Sequence, residues 1–348
     1  MTGLMMPSNI DKISDLGEKK LIKRLLSKSQ NPQIKSLFLD ELSIKSFSDD
    51  AALIDIGKNY LVTCSDMLMA YTHFPDEMSP YQIGQKVVTV NVSDLAAMGA
   101  GAIGILISMG LPRNMKLLEF DQIIDGILDA CKKYNMSLIG GDTNESKELT
   151  LCGTCLGIVK KEVVMMKHGA QVGDVLAVTG PLGLAAAGFK VLINGSHKFN
   201  NLDIGTKDLV IKHALEPEAK LDTGVILANS GSVTSATDIT DGLLSELGEM
   251  MDACKDDIGI VLNQEDLPIP KVVFDIAHIS SDNPIEMALT YGEDFELVLT
   301  VKPDQFEDLK SRINLHKIGF VDSSAKIKMI DKEGNTNIIT PKGYDHLK

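Results

Sequence analysis

A chain of 348 residues with 44% hydrophobic content is long enough for two domains, each burying its own core. Its 48 acidic against 34 basic residues leave a formal charge of -14, which argues against nucleic acid or an anionic membrane surface as partner. No apolar run reaches the roughly 18 residues of a membrane-spanning helix, and no basic segment followed by an apolar one opens the sequence, so neither a span nor secretion is expected.

In chain order, residues 17–29 place Leu21, Ile22, Leu25 and Leu26 on one side of a short amphipathic helix. "AALIDIGKNYLVTC" predicts two strands turning at Gly57-Lys58-Asn59, with Asp66 near the end of the second and His73 seven residues further on. "SPYQIGQKVVTVNVSDLAAMG" runs at helical period, with Ile83, Val87, Val90, Asn91, Asp94 and Met98 on one face and Gly99 as its stop. Its β-branched Val87, Val88 and Val90 pull the other way, toward strand. "AIGILISMGLP" is a strand, and "FDQIIDGILDACKKY" a helix turning Ile123, Ile124, Ile127, Leu128 and Cys131 inward. "MSLIGGD" and "ELTLCGTCLGIVKK" follow as strands. The C-x-x-C of Cys152 and Cys155 lies in the latter, where residues three apart face opposite ways; with Cys64, Cys131 and Cys254 it reads as scattered thiols in a reducing cytoplasm.

The polar, glycine-punctuated "EVVMMKHGAQVGD" divides the chain into domains 1–165 and 166–348. Beyond it come the strand "DVLAVTG", the loop and helix "PLGLAAAGFKVLI", and a polar surface loop, "NGSHKFNNLDIGTKD". "LVIKHAL" and "TGVILANSG" are helical, "VTSATDI" is a strand feeding the helix "DGLLSELGEMMDAC", and "MALTYGEDFELVLTV" is a strand pair bent at Gly292. Alternating strands and helices in both halves define the fold class as α/β or α+β.

Carboxylates recur where an apolar run meets a turn: Asp49 and Asp50, Asp66, Asp142, Asp238 and Asp241, with Asp94 on the inward face of its helix. Each has an ordinary reading as a cap, a turn residue or half of an ion pair. As a set they are harder to place, because two carboxylates about 4 Å apart repel by roughly 4 kcal/mol at an effective dielectric of 20. All-oxygen ligands without a His/Cys cluster suit several Mg²⁺ ions, whose coordination shells are completed by water and phosphates. No G-x-x-x-x-G-K-[ST] is present. "VTGPLGLAAAG" is a candidate anion site at a helix start, and also an ordinary tight connection.

The ordered series "SDDAA", "SDMLMAYTHF", "NVSDLAAMGA", "IGGDT", "HGAQVGDVLAVTGPLGLAAAG", "DITDGL" and "YGEDFEL" resembles thiamine-monophosphate kinases, of the ATP-binding superfamily that includes aminoimidazole ribonucleotide synthetase and selenophosphate synthetase. The resemblance implies a cytoplasmic homodimer, with an N-terminal α+β domain that dimerises through a mixed sheet and a C-terminal α/β domain. It implies direct transfer of the γ-phosphoryl of ATP to thiamine monophosphate. Asp66, Asp94, Asp142 and Asp238 would be catalytic. Asp49, Ser65 and Asp241 would join them on Mg²⁺. Gly141, Asp142, Lys167 and Thr240 would meet the nucleotide, and His73, Glu293 and Tyr344 the thiamine substrate. Against the family pattern, Ser48 replaces a glycine, Cys64 a hydroxyl residue, Lys167 an arginine, Thr240 a serine and Leu184 an aspartate. Two alternatives stand beside this reading: another ATP-using enzyme of the superfamily, aminoimidazole ribonucleotide synthetase-like, and a non-catalytic acidic module that binds Mg²⁺ or nucleotide.

Overall fold

In the computed structural model the described residues are Glu18, 20–22, Arg24, 44–45, 49–254, 256–341 and Gly343. Ser48, Tyr344 and most of the helix expected over 17–29 lie outside them. Strand β1 spans Ile44–Lys45 and pairs with β2, Ala52–Asp55, which turns at Gly57 into the long β3, Asn59–Met69. A single helical turn, α1 (Ala70–His73), ends β3, so Asp66 lies inside the strand and His73 just beyond it.

Helix α2, Pro80–Ala97, forms despite its valines because Val87, Val88, Val90 and Val92 are buried, and tertiary packing outweighs their intrinsic cost. Its start is fixed by a capping box: the Ser79 hydroxyl accepts from the Gln82 N–H at 3.3 Å while Gln82 Oε1 accepts from the Ser79 N–H at 2.9 Å. Strand β4 (Gly101–Pro112), helix α3 (Leu117–Lys133), β5 (Ser137–Ser146) and β6 (Thr150–Lys160) complete this half. The sheet runs β1-β2-β3-β6-β4-β5, antiparallel except where β4 meets β5. Helices α2 and α3 touch through glycines, since a Cβ on Gly84 would lie 2.1 Å from the Ile123 carbonyl oxygen and one on Gly126 2.0 Å from that of Tyr81. Leu128 of α3, expected inside, is exposed. Cys155 is buried and Cys152 half-buried, as strand alternation requires.

The second half opens with β7 (Val175–Val178), α4 (Leu184–Asn194), α5 (Ile204–Leu215), α6 (Leu221–Ser230), β8 (Val233–Asp238) and α7 (Leu243–Ala253). Then follow β9 (Gly259–Asn263), α8 (Lys271–Ser280), α9 (Pro284–Thr290), β10 (Leu297–Val301), α10 (Phe306–Arg312), β11 (His316–Asp322), β12 (Ile327–Ile330) and β13 (Thr336–Ile339). These strands order as β13-β12-β9-β11-β7-β10-β8, again a mixed sheet, with only β12 and β9 parallel.

Two sequence expectations change here. The loop expected over residues 194–208 contains the buried Phe199 and the first turn of α5, capped by Asp203, whose carboxylate accepts from the Thr206 N–H at 2.9 Å. The strand pair expected around Gly292 is instead α9, an irregular turn and β10. Asn283 starts that helix by accepting from the N–H groups of Ile285 and Glu286 at 2.9 and 3.2 Å, with Pro284 in its first turn. Helix α2 faces both halves: it covers the first sheet, and its Ala96 and Ala97 join the buried cluster formed with β7, β8 and β10.

Candidate active site

Four carboxylates converge between β3, α2, the start of β2 and the end of β8. Asp50, Asp66, Asp94 and Asp238 are near enough for their charges to raise one another's pKa values. Burial, with Asp50 adding to it, pushes Asp66 up to about 6 and Asp238 to about 7. Burial, then Asp66, Asp238 and Asp50, holds Asp94 well above the usual carboxylate range. The Ser93 hydroxyl donates to Asp238 Oδ2, and the Asp66 N–H donates to Asn91 Oδ1 at 3.1 Å. One turn of α2, from Asn91 to Asp94, therefore organises the cluster.

Asp50 belongs to this group, whereas Asp49, the member of the pair chosen from sequence, turns away. The Asp49 carboxylate accepts from the Lys167 N–H at 3.1 and 3.2 Å, and burial and then Asp50 push it up to about 7. Asp50 Oδ1 takes the Lys167 ammonium at 2.8 Å and the Thr237 hydroxyl at 3.0 Å. Its Oδ2, like Asp66 Oδ2, is a buried oxygen without a hydrogen-bond partner. Two orphaned carboxylate oxygens in one cluster are what a hard cation would satisfy. Among the described residues no three His, Cys, Asp or Glu side chains stand close enough to enclose an ion by themselves. Mg²⁺ commonly takes one or two carboxylates and fills its shell with water and phosphate oxygens, so the donor set fits it.

Ser65 and Asp142 do not reach this cluster. Strand alternation puts Ser65 on the face opposite Asp66, where its hydroxyl donates to the Gly153 carbonyl at 2.7 Å. Asp142 and Gly141 are exposed on the edge strand β5, three strands from β3, or about 14 Å at the usual strand spacing. Sheet phase decides the first and sheet order the second. Asp241 follows β8, and its N–H donates to the buried Glu246 at 3.2 Å. Thr240 is half-buried in the same turn, and its carbonyl accepts from the Glu293 N–H at 2.9 Å.

Lys167 is held between Asp50 and Glu249, each at 2.8 Å. Burial alone would lower its ammonium, but these two acids outweigh that and hold it above its ordinary value. The Cys64 thiol donates to the Asn91 carbonyl at 3.2 Å, and burial together with Asp94 raises it well above the usual thiol range. The start of α4, a candidate anion site by sequence, is taken by the chain's own Asp294, which accepts from the Gly183 N–H at 2.8 Å and the Ala185 N–H at 3.4 Å. Leu184, the first residue of that helix, is buried.

His73 and Glu293 come together through a residue that sequence reasoning passes over. Lys86, on the inward face of α2, donates to both Glu293 oxygens at 2.8 Å and to the His73 carbonyl at 3.1 Å. His73 Nδ1 accepts from the Met69 N–H at 3.2 Å, pinning its ring against the end of β3. A signal exists, since Lys86 lies four residues before Val90 and seven before Ser93, on one helix face.

Two family matches cover this architecture: AIR synthase related protein, N-terminal domain, over residues 48–159, and AIR synthase related protein, C-terminal domain, over residues 171–332. The two sheets are therefore those of an AIR synthase related protein. The thiamine-monophosphate kinase of Pyrococcus horikoshii is 31% identical over 93% of this chain and 98% of its own length. The crystal structure of thiamine-monophosphate kinase from Stenotrophomonas maltophilia K279a matches with a TM-score of 0.71 at 27% identity, over 89% of this chain and 95% of that one. AaThiL complexed with AMPPCP and TMP shares the fold, with a TM-score of 0.83 at 24% identity over 97% of this chain and 100% of that one. The chain belongs to the thiamine-monophosphate kinase family, and is an ATP-using phosphotransferase acting in thiamine diphosphate biosynthesis. No helix among the described residues is long and apolar enough to cross a membrane.

Proposed function

We propose that this chain moves the γ-phosphoryl of ATP directly onto the phosphate of thiamine monophosphate, with several Mg²⁺ ions, each drawing one or two carboxylates from Asp50, Asp66, Asp94 and Asp238. The observation that carries this is the buried quartet with its two orphaned oxygens, Asp50 Oδ2 and Asp66 Oδ2. Mg²⁺, when bound, supplies neutralisation of the charge that gathers on the transferring phosphoryl group. The acceptor is already an anionic phosphate, so no strong general base is needed, and the protein's task is alignment. AaThiL is complexed with AMPPCP, an ATP analogue, and TMP, which supports a nucleotide and an acceptor bound by one protein.

In this reading Thr240 and Asp241 bound the nucleotide side, with Gly141 and Asp142 approaching from the edge strand and Lys167 fixing Asp50. Asp49 and Ser65 act through the backbone around them rather than as ligands. His73 and Glu293 face the thiamine substrate, to which Tyr344 is also assigned because an aromatic face suits its cationic ring. The division into 1–165 and 166–348 gives each sheet its own unit. The homodimer forms across the open face of the first sheet, where Met67, Ile103, Leu106, Ile139 and Ile158 are exposed. Five unbridged cysteines suit a reducing cytoplasm. The test is conversion of thiamine monophosphate to the diphosphate with ATP, with and without Mg²⁺, and with thiamine as control acceptor. Turnover on thiamine but not its phosphate, or full activity in excess chelator, would exclude the proposal.

A further inference from the structure

Lys86 is one of the largest fully buried side chains among the described residues, with 1% of it exposed. Lysine is rarely buried to this degree, because an ammonium removed from water must find partners for its three donors. Here the donors are satisfied by two arms that come from different halves of the chain. One is the His73 carbonyl at the end of α1; the other is the bidentate Glu293 carboxylate at 2.8 Å.

Glu293 is itself held in an uncommon conformation. Its φ is 66°, in the left-handed region that a glutamate seldom occupies, and Phe295 two residues on has a φ of 51°. The turn is kept in place by N–H donation from Glu293 to the Thr240 carbonyl at 2.9 Å and from Phe295 to that of Ile239 at 3.0 Å. Gly292 makes the approach possible, since a Cβ there would lie 1.8 Å from the Thr240 oxygen. Glu293 keeps 27% of its side chain exposed and lines a cavity of about 310 Å³ that Lys220, Asp294 and Glu296 also border. One side of its carboxylate thus rests on a buried cation while the rest faces open space.

We infer that Lys86 is a positioning residue for the acceptor, setting the separation between the His73 arm and the Glu293 carboxylate. This rests on the assignment of His73 and Glu293 to the thiamine-phosphate side. Lys86 touches neither the reacting atoms nor the carboxylate quartet. It stands seven residues before Ser93 on α2, about 10 Å along the helix axis at 1.5 Å per residue. Its loss therefore falls on acceptor binding and spares the nucleotide.

The experiment compares the full-length wild type with Lys86→Met, Glu293→Gln and the double variant, measuring KM for thiamine monophosphate, KM for ATP, kcat and the melting temperature. Lys86→Met is expected to raise the acceptor KM about tenfold while KM for ATP stays within about twofold. The double variant is expected to be no worse than the more impaired single one, because both remove the same contact. A lower melting temperature with both KM values unchanged, or equal changes in both, would reduce Lys86 to a structural ion pair and overturn the inference. Should Lys86→Met not fold, Lys86→Arg keeps the charge but replaces a compact ammonium by a planar fork, and the same split in KM is expected. A wild type that does not turn over thiamine monophosphate would sink the substrate assignment, a different failure from a variant without the split.

Discussion

Replacing Asp66 by Asn separates what the carboxylate quartet does for stability from what it does for chemistry. Asp66 has a folded-state pKa near 6 against 3.8 for the free side chain, so between those values the folded protein binds more protons than the unfolded chain. Stability therefore falls as pH rises from about 4 to 6, and the whole penalty is present at pH 8. The difference of about 2 units corresponds to about 3 kcal/mol, the most that its relief can contribute. An amide in place of the carboxylate removes that penalty and can donate to Asp94. In excess chelator at pH 8, Asp66→Asn is expected to melt several degrees above wild type, the gap closing as the pH approaches 4. Adding Mg²⁺ should raise the wild-type melting temperature and leave the variant nearly unmoved, and phosphoryl transfer should be lost. A variant that melts below wild type in chelator at pH 8 would refute the repulsion reasoning. One that keeps near-normal kcat would exclude Asp66 as a ligand.

Three other outcomes follow from named contacts. His73→Ala should raise KM for thiamine monophosphate about tenfold and leave KM for ATP within about twofold; an equal effect would remove His73 from the acceptor side. Asn283→Ala removes the acceptor of two helix N–H groups and should cost about 1 kcal/mol in urea unfolding, with no change showing that water replaces the cap. Gly84→Ala forces a methyl against the Ile123 backbone and should cost roughly 2 kcal/mol or more; a neutral result would mean α2 and α3 separate without penalty.

Helical periodicity makes α2 legible in the sequence, and the recurrence of aspartates at the ends of apolar runs marks the cleft. Neither separates Asp49 from Asp50, because adjacent residues differ only in which way a turn directs them. Sheet order, which depends on pairing between distant segments, carries Asp142 to an edge far from Asp66. Ser65 is lost to the alternation of its own strand, which a stricter application of period two catches. The helix before Gly292 is hidden because its apolar residues suggest a strand, although Asn283-Pro284 is a helix-start signal. Lys86 shows a different limit: a lysine on an apolar helix face ordinarily extends its ammonium to water. Glu293, over two hundred residues away, and the His73 carbonyl together explain why this one stays inside.

Helix α2 reaches the second half of the chain at three polar points along its length, Gln82 to Glu216, Lys86 to Glu293 and Ser93 to Asp238. Fastenings along one helix make it a ruler between the halves. Each of these side chains stands off the helix axis, so turning, tilting or sliding one half against the other would strain them. Seven residues of backbone rise, about 10 Å, set the interval between the Lys86 and Ser93 contacts.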